Sequence, residues 1–201
     1  KGSDIGNKLS IKNLGVCYDQ GRGVKQDCLK AIECYKKAAE LGNSESYNSL
    51  GLCYEEGAGV NQDYSKAIEC YKKAAELGNS DSYDNLGTCY AEGRGVNQDY
   101  SKAFECYKKG AELGNPNSLN WLGIYYDEGR GVKQDYSKAF ECYQKSADLG
   151  NEGGLYDLAY CYERGVGVKK DLSKAIEYYQ KSADLGFEDA QEAIERLRNE
   201  M

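Results

Sequence analysis

The chain has 201 residues, 40% of them hydrophobic and 29% charged, proportions typical of a folded protein rather than a disordered one. No window approaches the roughly 18 consecutive apolar residues of a membrane-spanning helix, so we expect no membrane insertion. The net charge of −7 repels phosphate backbones and argues against a nucleic-acid partner. The chain has no histidine, the most common general base and metal ligand, so we expect no enzyme, metal centre or cofactor.

The sequence is organised as five repeats of 36 residues. The block LGVCYDQGRGVKQD at Leu14 returns in related form at Leu50, Leu86, Leu122 and Leu158. A second block, KAIECYKKAAELGN, recurs with the same step. The predicted repeats span residues 8–43, 44–79, 80–115, 116–151 and 152–186, followed by a capping helix in 187–201. Because one repeat cannot bury its apolar face alone, neighbours must stack, and we expect a single solenoid domain over residues 1–201.

Each repeat is predicted to form two helices, called helix A and helix B below. In the second repeat, Leu50, Gly51 and Tyr54 recur at steps that place them on one helical face. Gly57 and Gly59 should end helix A, because glycine readily adopts the positive φ of a helix C-cap. No stretch shows the two-residue alternation of a strand, so the sequence predicts an all-α fold.

Capping side chains flank these segments. Asp63 or Ser65 is placed to cap helix B of the second repeat, and Ser80 or Asp81 to cap the next helix A. Since the N-terminal end begins directly on a repeat helix, we expect a fragment or a weakly capped end.

Small and aromatic residues predict how the helices pack. Glycine inside a helix costs about 1 kcal/mol, so its return at Gly51 predicts a close approach, here to Ala67 of helix B. Tyrosines at helical spacing beside leucine should fill the remaining core rather than form a ligand surface. These recur in two rows, at Tyr18, Tyr54, Tyr90, Tyr126 and Tyr162, and at Tyr35, Tyr71, Tyr107, Tyr143 and Tyr179.

The shared pattern, LGxxYxxGxGVxxDxxKAxxxYxKAAxxG, resembles the Sel-one-like repeat (SLR) family, relatives of the tetratricopeptide repeats. The resemblance covers Lys8 to Gly186. It implies a right-handed α/α superhelix and a non-enzymatic role as scaffold or adaptor in protein complexes. The family often has tryptophan where this chain has Cys34, Cys70, Cys106 and Cys142.

Eight of the nine cysteines recur with the repeat. Without histidine or a CxxC pair they do not predict a metal site. Positions at equal height on neighbouring antiparallel helices make three cysteine pairs the better candidates for disulfides. The favoured interpretation is that the cysteines are reduced and serve as small core residues. A redox-responsive protein is an alternative. Reduced thiols favour a cytoplasmic location, with a secreted or lumenal one as the alternative. The pairs are Cys34/Cys53, Cys70/Cys89 and Cys142/Cys161.

By analogy with tetratricopeptide repeats, helix A should line a concave face that binds a protein or peptide. Acids in the last turn of helix A are disfavoured by the helix dipole by roughly 0.3–1 kcal/mol. Either the loop arginines Arg22, Arg94 and Arg130 offset this cost, or the acids bind a basic partner. The alternative is an extended-glycan or cell-wall-associated binding module, in which Tyr64, Tyr100 and Tyr136 would contact the glycan. The candidate binding residues are Glu45, Asn48, Leu52, Glu55, Glu56, Asp81, Asp84, Thr88, Glu92, Asn117, Asn120, Ile124, Asp127, Glu128, Tyr156, Tyr160 and Glu163.

Overall fold

The computed structural model describes the backbone of residues 2–200 and the side chains of residues 6–199, so that Lys1 and Met201, the ends of the expected domain, lie outside it. Its described residues form eleven α-helices and no strand, which confirms the all-α prediction. None of these helices is long and apolar enough to cross a membrane. In chain order they are α1 (Gly2–Gln20), α2 (Cys28–Glu40), α3 (Ser44–Glu56), α4 (Tyr64–Glu76), α5 (Ser80–Glu92), α6 (Tyr100–Glu112), α7 (Pro116–Glu128), α8 (Tyr136–Asp148), α9 (Glu152–Arg164), α10 (Leu172–Asp184) and α11 (Glu188–Glu200).

The helices group into two compact units, one ending at Asp99 and the other beginning at Tyr100. In the first unit, each of α1 to α4 packs against the next helix of the chain. In the second unit, each of α6 to α10 does the same, and α7 also contacts α9. From α1 to α10, the odd-numbered helices are helix A of their repeats and the even-numbered helices are helix B.

Asp or Asn side chains cap the first turn of α2 to α5 and of α7 to α10. Of the two predicted caps of α4, Asp63 is the one that the structure shows: its side chain accepts a hydrogen bond from the Lys66 backbone N–H, whereas Ser65 lies within the helix. The cap of α5 is Asn79, whose Oδ1 accepts from the Ser82 N–H at 2.9 Å. The predicted caps Ser80 and Asp81 were therefore wrong, because both residues already lie within the first turn of α5.

Glycines and a glutamine side chain fix the loop between helices A and B. Gly57 caps α3 in the left-handed conformation at φ 73°, which confirms the predicted helix end. Gly59 also has positive φ, and a Cβ added there would lie 2.8 Å from Cβ of Cys28 in the preceding repeat. Gln62 donates from Nε2 to the Glu55 carbonyl at 2.7 Å and so satisfies a helix-end acceptor. The same bond recurs at Gln26, Gln98 and Gln134.

Glycine inside helix A makes room for an aromatic ring. The atoms nearest to a Cβ added at Gly51 belong to the fully buried ring of Tyr71, so the close approach is to Tyr71 rather than to Ala67. In the first repeat, the equivalent Cβ on Gly15 would lie 2.7 Å from Cε1 of Tyr35. The repeated glycine therefore fits the tyrosine of helix B under helix A.

The second unit ends on α11, which confirms the predicted capping helix. One face of α11 is buried through Ala190, Ala193, Ile194 and Leu197, each at most 5% exposed. The opposite face is charged and exposed. The helix thus covers the last hairpin with an apolar stripe and presents a polar outer surface.

Candidate functional site

In the first unit, the structure brings four of the predicted binding residues into one cavity of about 470 Å³. Leu52 is 38% exposed and Glu56 is exposed, whereas Glu55 and Thr88 are half-buried. Helix A of two consecutive repeats therefore contributes to this cavity. Its lining residues are Leu52, Glu55, Glu56, Gln62, Tyr64, Asn85, Thr88 and Arg94.

The acids of this cavity differ in how far the protein neutralises them. Glu55 accepts hydrogen bonds from the Tyr71 hydroxyl at 2.5 Å and from Arg94 Nη1 at 2.6 Å. Arg94 also pairs through Nε with Glu92 at 2.6 Å, and the hydrogen bond to Glu55 raises the pKa of the guanidinium. Loop arginine Arg94 thus offsets two of the helix-end charges. Glu56 is exposed and makes no ion pair among the described residues.

The remaining candidates of the first unit lie on the same helices. Glu45 is exposed and pairs with Lys12 at 2.6 Å. Asn48 is half-buried and accepts hydrogen bonds from two side chains of α5. Asp81 is exposed and Asp84 is half-buried.

In the second unit, Glu163 has a structural role. Its side chain is 4% exposed and accepts hydrogen bonds from the Tyr179 hydroxyl at 2.9 Å and from both Nη atoms of Arg196 at 2.8 and 3.0 Å. Burial acts to raise the pKa of Glu163, but the bonds from Arg196 and Tyr179 outweigh it and the pKa lies below its usual value. Tyr156 is likewise engaged internally, against Tyr179 and Phe187.

Other candidates of the second unit range from open to enclosed. Asn117 is exposed, and Tyr160 is 43% exposed. Ile124 is half-buried against the core, and Glu128 pairs with Arg130. The exposed candidates of this unit are therefore mainly polar or aromatic.

A pair of acids lies beside Asn120. The Asn120 side chain hydrogen-bonds to Asp157, whereas its Oδ1 is buried without a partner among the described residues. Burial raises the pKa of Asp157 to about 7, and the nearby Asp127 adds to the shift. Burial and the neighbouring Glu128 raise the pKa of Asp127 as well. This cluster therefore disfavours negative charge.

Sequence reasoning missed Trp121, the only tryptophan of the chain. It is 38% exposed and stacks on Tyr107 with ring centroids 5.8 Å apart. It lies 36 residues after Asn85, which lines the cavity of the first unit. The period could have identified this position, but the earlier repeats have small polar residues there.

The described side chains contain no cluster of three or more residues suited to a metal ion. The nine cysteines are free thiols in this structure, including those of the three candidate disulfide pairs. Burial raises the pKa of Cys53 and Cys161 to about 12, which disfavours the thiolate that a reactive cysteine needs.

Comparisons with known proteins agree with the repeat architecture. The Sel1 repeat family model matches five times, at residues 9–43, 44–79, 80–115, 116–151 and 154–187. A Sel1 repeat protein from Oxalobacter formigenes is 32% identical, with a TM-score of 0.85 over 93% of this chain and 74% of its own. A protective antigen of uropathogenic Escherichia coli with an SLR fold is 37% identical, with a TM-score of 0.84 over 96% of this chain and 41% of its own. An immunity protein from Pseudomonas aeruginosa is 26% identical, with a TM-score of 0.58 over 80% of this chain and 60% of its own. No curated protein matches the chain significantly.

Proposed function

Since this chain belongs to the Sel1 repeat family, we propose that it is a non-enzymatic scaffold whose helix-A surface binds a segment of a partner protein. Sel1 repeat proteins are generally protein-interaction scaffolds. We propose further that the repeats form one right-handed solenoid domain over residues 1–201, with the helix-A surface on its concave side. The observation that supports this best is the cavity of the first unit, to which two successive helices A contribute.

The chemistry of this cavity favours a partner segment with both apolar and basic side chains. Leu52 offers an exposed apolar contact, and the charge of Glu56 is not compensated by an ion pair among the described residues. Glu55 contributes less attraction, because Arg94 already neutralises it. A lysine that approaches Glu56 while an apolar neighbour covers Leu52 would use both features.

The second unit offers a different kind of surface. Trp121 and Tyr160 are exposed large side chains on helix A, the type of residue enriched at protein interfaces. Glu163 and Tyr156 are engaged within the fold, so we leave them out of the proposed contact surface.

The test is a calorimetric titration of the full chain with an acetylated and amidated nine-residue peptide of alternating lysine and leucine. Affinity should fall between about 50 and 150 mM salt, because screening weakens the attraction between Glu56 and lysine. Glu56→Gln should weaken binding two- to fivefold and reduce the salt dependence. The matched control is Glu69→Gln, which removes another exposed acid, on helix B of the same repeat.

The proposal requires that the two variants differ. An affinity independent of salt, or an equal loss in Glu56→Gln and Glu69→Gln, would show that the peptide does not use this surface. Leu52→Ala gives a second measure, since it should weaken binding without changing the salt dependence.

A further inference from the structure

An open space lies on the helix-B side of the second unit. It is a groove of about 610 Å³ between α6 and α8, and its inner wall is formed by α7. We call it the B groove. Its lining residues are Lys108, Ala111, Glu112, Leu119, Leu122, Tyr126, Lys138, Glu141, Cys142, Lys145, Asp148 and Leu149.

In the fifth repeat, the corresponding positions hold an aromatic ring. Tyr178, 36 residues after Cys142, stacks on Tyr162 with centroids 5.7 Å apart and planes 1° apart. The ammonium group of Lys181 lies over the Tyr178 ring, 4.8 Å from its centroid. Of the twelve lining residues, only Cys142 and Lys108 change chemical type between the two repeats. The fifth repeat therefore shows that this arrangement of helices can hold an aromatic ring at the position of Cys142.

The second repeat supplies a ring from the other helix. There Tyr47 of helix A precedes Cys70 of helix B, and the ammonium group of Lys73 lies 5.7 Å from the Tyr47 centroid. The third repeat has the same combination in its sequence, Tyr83 with Cys106. In the second, third and fifth repeats, a tyrosine thus occupies either the helix-A or the helix-B position. In the second and fifth repeats, a lysine lies over its ring.

The fourth repeat has a tyrosine at neither position. Leu119 stands where the second repeat has Tyr47, and Cys142 stands where the fifth has Tyr178. Lys145, the counterpart of Lys73 and Lys181, lines the groove. In the first repeat the positions hold Ile11 and Cys34, but no earlier helix B of the described chain forms a second wall.

We infer that the B groove binds the side chain of an exposed tryptophan or tyrosine on a partner protein. The ring would stack on Tyr126 as Tyr178 stacks on Tyr162, with its other face toward Lys145. Leu119, Leu122 and the Cys142 thiol provide the apolar contacts. Burial raises the pKa of Cys142 to about 11, so the thiol is uncharged at neutral pH.

This site is independent of the proposed helix-A surface. Its walls come from α6 and α8, and its inner residues Leu119, Leu122 and Tyr126 are not among those expected to bind a peptide on helix A. Failure of one proposal therefore leaves the other standing.

The experiment uses the ¹⁵N-labelled 201-residue chain and N-acetyl-tryptophanamide, with N-acetyl-leucinamide as the matched aliphatic probe. We expect saturable shifts of the amide signals of Tyr126, Cys142 and Lys145, with a Kd on the order of millimolar for a single side chain. The leucine probe should bind at least fivefold more weakly, because it can neither stack nor attract the ammonium group.

Two variants close the groove with residues that the chain itself uses elsewhere. Leu119→Tyr copies the second repeat and Cys142→Tyr copies the fifth, and each should weaken binding of the tryptophan probe at least tenfold. Cys142→Ala leaves the groove open and should bind as the parent does. Lys145→Ala should weaken binding about two- to fivefold through loss of the cation–π contact.

Circular dichroism checks that each variant is folded, and if one closing variant unfolds, the other and Lys145→Ala decide. Unchanged binding to the closed variants, or shifts that map elsewhere, would overturn the inference. So would sedimentation that shows a dimer in the parent but a monomer in Cys142→Tyr, because the occupant would then be a second copy of this chain.

Discussion

Replacing Asp157 with asparagine should stabilise the protein most at alkaline pH. Asp157 is a largely enclosed carboxyl group on α9, and its burial raises its pKa to about 7 from 3.8. The equivalent residues of the other repeats are uncharged: Asn13, Ser49, Asn85 and Trp121. An asparagine would keep an acceptor for the Asn120 amide and remove the ionisation.

The sign and size of the stability change depend on the difference between the pKa of Asp157 in the folded chain and in the unfolded chain. Because the folded value is the higher one, folding favours the protonated form, and the contribution of Asp157 to stability falls as pH rises from about 4 to 7. Each pKa unit corresponds to about 1.4 kcal/mol, so a shift of about three units sets an upper limit near 4 kcal/mol. Above pH 7 the penalty is complete. We expect Asp157→Asn to be more stable than the parent by about 2–4 kcal/mol at pH 8.

Urea unfolding followed by circular dichroism at pH 5 and pH 8 measures this effect. At pH 5 only part of the penalty is present, so the gain from Asp157→Asn should be smaller there by about 2–3 kcal/mol. Glu192→Gln on α11 is the control, since its carboxyl group is exposed and its removal should change stability little at either pH. An equal gain at both pH values would refute the reasoning, because a loss of packing or hydrogen bonding does not titrate.

Two further measurements concern the closing helix and the thiols. Arg196→Ala should lower the free energy of unfolding by about 2–3 kcal/mol at pH 7, because the buried Glu163 carboxylate loses its strongest donor. The pKa of Glu163 is lowered in the folded protein, so its favourable contribution is present above about pH 4.5 and is lost as the pH falls through the folded pKa. An equal loss of stability at pH 3 would contradict this role. Arg198→Ala, which removes an exposed arginine of the same helix, is its control. Ellman's reagent at pH 8 should leave Cys53 and Cys161 unmodified until denaturant is added, and fewer than nine thiols after denaturation would indicate disulfides instead of core cysteine.

The fold was largely predictable because each local signal recurs with the period. Gly57 marks the end of helix A by its conformational freedom, and the structure places it at that cap. The start of helix A was less clear, since Asn79, Ser80 and Asp81 are all capping residues and stand side by side. The choice depends on which residue lies just outside the helix, and sequence alone does not fix that boundary to one residue.

The candidate site was predictable only where the repeat is regular. The exposure of Leu52 and Glu56 follows from their helical positions. The burial of Glu163 does not, because it depends on Arg196 from the closing helix, which lies outside the periodic pattern. The B groove also went unnoticed, since it results from Leu119 and Cys142 together and neither residue is unusual when its position is considered alone.

The pairing of Glu55 with Arg94, and of Glu163 with Arg196, makes a hairpin of this kind depend on an arginine from the next segment of the chain. A truncation that stops directly after such an acid leaves a partly buried carboxylate without its arginine. Removal of the whole third repeat instead brings Arg130 to the position of Arg94. Arrays of this type should therefore lengthen or shorten readily in steps of one full repeat and tolerate breaks poorly at any other point.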